Sequence, residues 1–252
     1  MAKRLSDIAG EAVLLVGGAR AILLQIANPA VGAGVVRHSD FGSDPLLRLR
    51  NTLTYVYIVV FGTADEATRV TTMVNAAHRT VRGSGYDAVD PDLQLWVAAT
   101  LYDTAITVHE SVFGTMAEAD ADAVYRDYAV VGTALQMRPD QWPADRTAFT
   151  AYWDGSIPQL SVTDDTRRVA RELLHSRAIP WWLRAVMPLA RLVTAGLLTP
   201  ELRDAYQLPW NPRKARQFDR TIGFFSTVYP RLPRALRRWP MRYYLAEFRR
   251  GR

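Results

Sequence analysis

Residues 44–66 read DPLLRLRNTLTYVYIVVFGTADE, and this stretch contains the clearest helix boundaries in the chain. Asp44-Pro45 combines a side chain that caps a helix N-terminus with a residue that favours its first turn. The apolar run that follows predicts a helix to Phe61-Gly62. Thr63 and Glu66 have the spacing of a capping box, which predicts a second helix immediately afterwards.

Similar signals extend outward from this stretch in both directions. Asp90-Pro91 repeats the Asp-Pro start and predicts a helix to Phe113-Gly114. An apolar segment that should end at Asn28-Pro29 predicts a buried helix with a close packing point at Gly17-Gly18. The helix that starts at Thr63 is predicted to end at Gly83. Further helices are predicted at 117–135, 143–155, 163–176, 180–196, 199–206 and 211–228.

Length and composition favour one domain. The 252 residues contain no Ser/Gly/Pro-rich or acidic linker, and 49% of them are hydrophobic. We therefore expect a single-domain, all-α multi-helix bundle over residues 1–252. No segment alternates convincingly enough to require a sheet. The charged N-terminus does not resemble a secretion signal, which predicts a cytoplasmic protein.

Composition also excludes several kinds of chemistry. The chain has no cysteine, which rules out disulfides, thiolate metal sites and cysteine nucleophiles. The glycine-rich nucleotide-binding motifs and the Gly-x-Ser-x-Gly motif of serine hydrolases do not occur. The four histidines and the carboxylates are therefore the available metal ligands.

Polar residues share one face of the helix predicted after Asp44. Arg48, Asn51, Thr52 and Tyr55 follow the i, i+3, i+4, i+7 pattern. The adjoining residues are so apolar that we expect this helix and its polar stripe to be largely buried. An unpaired buried donor costs roughly 1–3 kcal/mol, so the stripe indicates either a hydrogen-bond cluster between helices or a ligand site.

His78 lies beside the apolar stripe Val70, Val74, Ala77 and Val81 of the next predicted helix. This position predicts a half-buried or buried imidazole, either satisfied by protein groups or acting as a ligand. No second histidine follows at i+3 or i+4, which excludes a zinc helix of the His-Glu-x-x-His kind. One histidine opposite a polar stripe suits a haem better than a site with three or four protein ligands.

The other three histidines are weaker candidates. His38 belongs to a polar turn, Arg37-His38-Ser39-Asp40, that also fits a solvated loop. His109 and His175 occur near the ends of predicted helices, where the helix dipole favours them at surface positions.

The C-terminal segment, residues 211–252, is strongly basic. It has twelve Lys/Arg and two acids, a local net charge of +10 in a chain of +6 overall. These arginines either pair with acids of earlier helices or form a short amphipathic piece at an anionic membrane. No motif that reads nucleic acid accompanies the charge, so no nucleic-acid partner is expected. The residues of the amphipathic piece are Arg234, Leu236, Arg237, Arg238, Trp239, Arg242, Tyr243 and Tyr244.

An ordered set of short motifs covers the first half of the chain. The motifs are Asn28-Pro29-Ala30, Arg37-His38-Ser39-Asp40-Phe41, Asp44-Pro45, Arg48-x-x-Asn51-Thr52, Phe61-Gly62-Thr63, His78-Arg79-x-Val81-x-Gly83, Tyr86, Asp90-Pro91 and Trp96-Val97. As a set they resemble the domain shared by the bacterial latex-clearing (rubber) oxygenases and the fungal mycophenolic-acid pathway oxygenase MpaB. The resemblance extends more weakly through Tyr152-Trp153 and the tail.

The resemblance implies an all-α fold that holds haem b, with His78 as the axial iron ligand. It also implies that Arg48 and Thr52 are catalytic residues on the distal side of the haem. Asn51 and His38 complete the candidate cofactor-binding residues. The implied reaction is the O₂-dependent cleavage of a carbon–carbon double bond in an apolar, isoprenoid or lipid-like substrate.

The sequence departs from the family pattern at two positions. Asn51 stands where the family usually has a basic residue, and Ala98 stands where its members commonly have histidine. Both departures favour an alternative function, a binding protein that keeps the fold and an apolar cavity without catalysis. Asp40 is the nearest candidate for a catalytic carboxylate.

Overall fold

The computed structural model describes residues 3–38, 45–176 and 179–251, and nearly all regular structure in these ranges is helical. The sheet that they contain is an antiparallel hairpin of β1 (Arg82–Gly83) and β2 (Tyr86–Asp87). The predicted all-α class is therefore confirmed. The α-helices are α1 (Leu5–Ile8), α2 (Gly18–Ala27), α3 (Pro29–His38), α4 (Pro45–Phe61), α5 (Ala64–His78), α6 (Pro91–Phe113), α7 (Glu118–Tyr128), α8 (Val130–Thr133), α9 (Arg146–Ser156), α10 (Asp164–Leu174), α11 (Trp181–Leu197), α12 (Pro200–Ala205), α13 (Pro212–Val228), α14 (Arg234–Arg237) and α15 (Trp239–Arg250). Short 3-10 helices are Ala12–Gly17, Pro139–Gln141, Ile157–Gln159 and Tyr229–Arg231.

The capping box predicted between α4 and α5 is confirmed. Thr63 Oγ1 accepts a hydrogen bond from Glu66 N (3.2 Å), and Glu66 Oε2 accepts one from Thr63 N (2.9 Å). Glu66 is only 3% exposed, and it also accepts two hydrogen bonds from Arg249 of α15. These run from Nε to Oε1 (2.8 Å) and from Nη2 to Oε2 (3.1 Å). One buried carboxylate therefore fixes both the α4–α5 turn and the position of α15.

Several other predicted boundaries agree with the structure and two do not, while the predicted cap Asp44 lies outside the described residues. Asp90 caps α6, its Oδ1 accepting from Asp92 N at 2.8 Å, and α9–α13 match their predicted ranges within three residues. α5 ends at His78 rather than at Gly83, because the chain turns into the β1–β2 hairpin, where Gly85 has φ +82°. The helix predicted over 117–135 is divided into α7 and α8, and α8 packs against α4.

The apolar N-terminal segment forms several short helices where one buried helix was predicted. The predicted stop at Asn28 is confirmed, and Pro29 begins α3 after a bend of 107°. Asn28 Oδ1 accepts a hydrogen bond from Ala30 N at 3.0 Å, which caps the new helix. Across residues 3–38, 45–176 and 179–251, no single helix is both long and apolar enough to cross a membrane. The pair Ala12–Ala27 and Pro29–His38 would meet that test only as a bent unit.

The close packing predicted at Gly17-Gly18 occurs at Gly17. A Cβ atom at Gly17 would lie 2.5 Å from Thr104 Cγ2 and 2.9 Å from Val108 Cγ2, both on α6. At Gly18 the nearest atom would be Leu49 Cδ1, at an ordinary contact distance of 3.7 Å. The absence of a side chain at Gly17 therefore sets how closely the N-terminal segment approaches α6.

The main core lies among α4, α5, α6, α7 and α9. The ring of Tyr102 on α6 makes edge-on contacts with four aromatic neighbours, at centroid distances of 4.8–5.9 Å. α15 packs along α4 and adds Met241 and Leu245 to this core. The C-terminal helix is thus part of the same packed unit as α4.

A chain of amide side chains joins α5 to α6. Gln94 donates from Nε2 to Gln136 Oε1 (2.6 Å) and accepts at Oε1 from Gln136 N (2.7 Å). Gln136 in turn donates from Nε2 to Asn75 Oδ1 (2.8 Å). Asn75 lies three residues before His78, so this chain fixes the C-terminal end of α5 relative to α6.

Replacing Gly17 by alanine is expected to lower the free energy of unfolding by about 1–3 kcal/mol, because the added methyl group overlaps Thr104 and Val108. Urea unfolding at equilibrium measures the change. Gly18→Ala is the matched control and should leave the free energy of unfolding unchanged or raise it by up to about 1 kcal/mol. Equal losses for the two variants would contradict the close contact at Gly17.

Gln136→Ala is expected to lower the free energy of unfolding by about 1–2 kcal/mol, because Gln94 and Asn75 each lose a hydrogen-bond partner. The control is Gln159→Ala, which removes an exposed amide that donates only to Gly155 O (2.9 Å). That change should cost less than about 0.5 kcal/mol. A Gln136→Ala variant as stable as the control would show that the amide chain does not hold α5.

Candidate cofactor site

Asn51 and Thr52 lie on α4 and His78 lies on α5, two helices that form a hairpin. The two helices are joined at Gly62-Thr63 and pack against each other. Thr52 precedes Gly62 by ten residues and Met73 follows Thr63 by ten. At 1.5 Å per residue, both therefore lie about 15 Å from the turn. The N-terminal half of α4 thus runs beside the C-terminal end of α5.

His78 is the last residue of α5 and is half-buried, as predicted. It follows Val70 (3% exposed) and Val74 at intervals of four residues, and Val74 packs against the main core. The Nδ1 atom of His78 is shielded from solvent. Ala77, predicted to share this inward stripe, is exposed. The histidine therefore lies on the side of α5 that faces the rest of the protein.

The polar stripe of α4 divides into a buried and an exposed part. Tyr55 is 7% exposed and donates a hydrogen bond to Val131 O (2.5 Å), and its burial raises the pKa of the phenol. Asn51 and Thr52 are exposed, so the prediction that they are buried is wrong. Val131, the acceptor of the Tyr55 hydroxyl, belongs to α8, which packs against α4. The Arg48 side chain lies outside the described part of the chain.

Two large apolar side chains are exposed on the same two helices. Leu47 is 48% exposed and lies four residues before Asn51, while Met73 is 60% exposed and lies at the level of Thr52. These two side chains are candidates for contact with an apolar ligand.

His38 lies at the last residue of α3 and borders this region through the β hairpin. Its Nε2 atom is 2.8 Å from the hydroxyl of Tyr86, and the two rings meet edge to face. A Cβ atom at Gly34 would lie 3.3 Å from the Tyr86 ring and 3.6 Å from Val81, three residues after His78. The structure therefore brings His38 and His78 to the same end of the molecule. Asp40 lies outside the described residues.

The residues present fit a group that needs one protein ligand. In the described part of the chain, no three His, Asp or Glu side chains come together as a multi-ligand metal site. Haem iron can be held by a single histidine, and the half-buried His78 beside an open polar and apolar surface suits that requirement. A separate open pocket of about 290 Å³ lies at the other end of α4, lined in part by Arg4, Val59 and Asp127. It contains none of the predicted site residues.

Ala98, at a position where the family commonly has histidine, lies on α6 and is packed in the main core. It is 3% exposed. A Cβ atom at Gly132 would lie 3.3 Å from the Ala98 Cβ and 2.5 Å from Met137 Sδ. Ala98, Gly132 and Met137 therefore meet at one point of the core, and a larger side chain at position 98 would extend into this packed region.

Of the two histidines predicted at surface positions, one is buried. His175 is exposed, as predicted. His109 is 4% exposed and packs on the ring of Phe113 at a centroid distance of 4.8 Å. His109 was predicted at a surface or C-terminal position; it lies near the C-terminal end of α6 but is not at the surface, because other helices pack against α6. Burial, with a smaller effect of the Lys3 charge, lowers the pKa of His109 to about 4, so the ring is neutral at pH 7.

Sequence analysis missed the buried polar contacts that connect the core helices. Arg20 Nη1 lies 2.7 Å from Asp103 Oδ2 and donates to Thr104 Oγ1 (2.7 Å), and its Nε donates to Leu197 O (2.8 Å). Burial raises the pKa of Asp103, and Arg20 partly offsets that effect. A charged residue inside an apolar segment was the available signal. Because Arg20 is satisfied by protein groups, we assign it to stability.

Comparisons with known proteins identify the family of the chain. Residues 6–227 match the family described as ER-bound oxygenase mpaB/B'/Rubber oxygenase, catalytic domain. An uncharacterised protein of Mycobacterium tuberculosis and one of Mycobacterium bovis are each 38% identical over 208 residues, which covers 79% of this chain and 82% of the relative. No solved structure matches the chain. The chain therefore belongs to the mpaB/rubber oxygenase catalytic-domain family, as its motifs predicted.

Proposed function

We propose that this protein is a haem b-dependent oxygenase that acts with O₂ on an apolar, isoprenoid or lipid-like substrate. The observation that carries the proposal is the half-buried His78 at the end of α5, beside an exposed stretch of α4 with polar and apolar side chains. Membership of a family of oxygenase catalytic domains supports an oxygenation reaction in general.

Each candidate residue has a distinct role in this proposal. The imidazole of His78 is the protein ligand to iron, and the bound haem supplies the capacity to bind and activate O₂. The hydroxyl of Thr52 offers a hydrogen-bond donor, and Arg48 offers a permanent positive charge, for orienting and polarising the oxidant. Asn51 offers an uncharged amide donor where the family usually has a basic residue. His38, whose Nε2 atom lies 2.8 Å from the Tyr86 hydroxyl, would contribute to binding the cofactor.

Two exposed apolar side chains support the substrate class. Leu47 on α4 is 48% exposed and Met73 on α5 is 60% exposed, and in this proposal they contact the substrate. A hydrocarbon chain would cover these side chains and exclude water from the polar groups next to them. Neither residue offers a charged group to a polar substrate.

A second candidate function is a binding protein of the same fold that lacks catalysis. Two observations favour it: the uncharged Asn51 in place of a basic residue, and the filled space around Ala98. Such a protein would bind haem or a lipid without consuming O₂, which separates the two functions experimentally.

His78→Ala is expected to abolish stoichiometric haem binding, because it removes the proposed protein ligand to iron. Haem is titrated into the purified wild-type chain and the variant, and the Soret band is recorded at each step. His175→Ala removes an exposed histidine at the end of α10 and should not change the titration. A wild-type chain that gives no Soret band, or a His78→Ala variant whose titration matches that of the wild type, would contradict the cofactor proposal.

Thr52→Val is expected to reduce the rate of O₂ consumption on the order of 100-fold while haem binding is retained, because it removes a hydrogen-bond donor from the reacting oxygen. An oxygen electrode measures the rate with a polyisoprenoid, and a saturated hydrocarbon is the substrate control. Thr68→Val removes an exposed hydroxyl that donates to Ala64 O (3.0 Å) and should leave the rate unchanged. If the haem-bound wild type consumes no O₂ with a polyisoprenoid or an unsaturated lipid, the binding function is the correct one.

A further inference from the structure

α15 has a buried face and an exposed aromatic face. Met241 and Leu245 are buried in the main core, on the side where α15 packs along α4. On the outer side, Trp239 is 61% exposed and Tyr243 is 42% exposed, and their rings stack at a centroid distance of 5.5 Å. Leu236 on α14, three residues before Trp239, is 58% exposed. Three large apolar side chains are thus presented to solvent within eight residues.

Positive charge accompanies these apolar side chains. Arg242 and Arg250 are exposed on the outer side of α15, and neither forms an ion pair with any residue that the structure describes. The one acid between residues 229 and 251 is Glu247, which is half-buried and pairs with Arg50 at 2.9 Å. We call the surface formed by Leu236, Trp239, Arg242, Tyr243 and Arg250 the outer face; it is basic and apolar and contains no acid.

Other arginines of the same segment hold it in place. Arg237 and Arg238 lie 3.2 and 3.9 Å from the carboxylate of Glu11, which is 4% exposed. Arg249 pairs with the buried Glu66, and Arg234 lies 3.9 Å from Asp7. The predicted pairing of tail arginines with earlier acids is therefore present for these four. These ion pairs fix the C-terminal segment to the rest of the protein, whereas Arg242 and Arg250 of the outer face stay exposed.

We propose that the outer face docks on the surface of an anionic membrane. Tryptophan and tyrosine suit the level of the lipid headgroups, where the ring is partly in an apolar layer and its polar atom stays hydrated. Arginines beside them are attracted by anionic headgroups, each strengthening binding about fivefold near the surface. The absence of exposed acids from the outer face matches a negative partner. This inference does not depend on haem binding or on catalysis.

The test is cosedimentation of the full chain with phosphatidylcholine vesicles that contain about 30% phosphatidylglycerol, compared with pure phosphatidylcholine vesicles. Binding is expected only with the anionic lipid, and it should fall when salt is raised from about 0.1 M to about 1 M. Arg242→Gln combined with Arg250→Gln should weaken binding about 10- to 30-fold. Trp239→Ser should weaken it about tenfold, because the side chain that enters the headgroup layer is removed.

Matched controls test whether a loss of binding is specific to the outer face or follows from removing any exposed arginine or tryptophan. Arg126→Gln combined with Arg184→Gln removes two exposed arginines from α7 and α11, and Trp181→Ser removes a tryptophan that is 75% exposed. Both controls should bind vesicles as the wild type does. All substituted side chains are exposed, so thermal unfolding should be unchanged. Equal binding to both vesicle types, no binding to either, or equal losses in the controls would overturn the proposal.

Discussion

The buried carboxylate of Glu66 is the interaction on which the arrangement of the helices depends. It completes the capping box that starts α5, and it accepts two hydrogen bonds from Arg249 at the far end of the chain. A carboxylate that is 3% exposed requires such partners, because burying an unpaired charge is costly. The turn between α4 and α5 and the docking of α15 on α4 are therefore determined together. Asn51, Thr52 and His78 of the candidate site lie on α4 and α5.

Local signals in the sequence were enough to predict many of the helices of this fold, but not all of its elements or the contacts between them. Thr63 with Glu66 and the Asp90-Pro91 pair act within one helical turn, so their spacing alone predicted where α5 and α6 begin. The pairing of Glu66 with Arg249 joins residues far apart in the sequence, and no local pattern indicates it. Apolar periodicity likewise predicted that the N-terminal segment is buried, but it does not report whether a buried segment is one helix or several.

The candidate site could be predicted in part for the same reason. His78 continues the apolar stripe of α5. The residues of such a stripe follow from the periodicity of one helix, so the half-buried position of His78 could be predicted from the sequence. Whether Asn51 and Thr52 are covered depends on which other elements pack against that part of α4, which is a property of the tertiary structure. The burial of His109 likewise depends on the elements that pack against α6. The exposure of a side chain was predicted correctly where its own helix determines that exposure. It was predicted incorrectly where the packing of a second, distant element determines it.

The packing around Ala98 has a consequence for how this chain can vary. Since a Cβ atom at Gly132 would lie within 3.3 Å of both Met137 Sδ and the Ala98 Cβ, the side chains at positions 98 and 137 border one shared volume. A chain with histidine at position 98 needs a shorter side chain at 137, and a chain with methionine at 137 needs a small residue at 98. Relatives should therefore exchange these two residues jointly, and an engineered histidine at 98 has to be designed as a pair of changes.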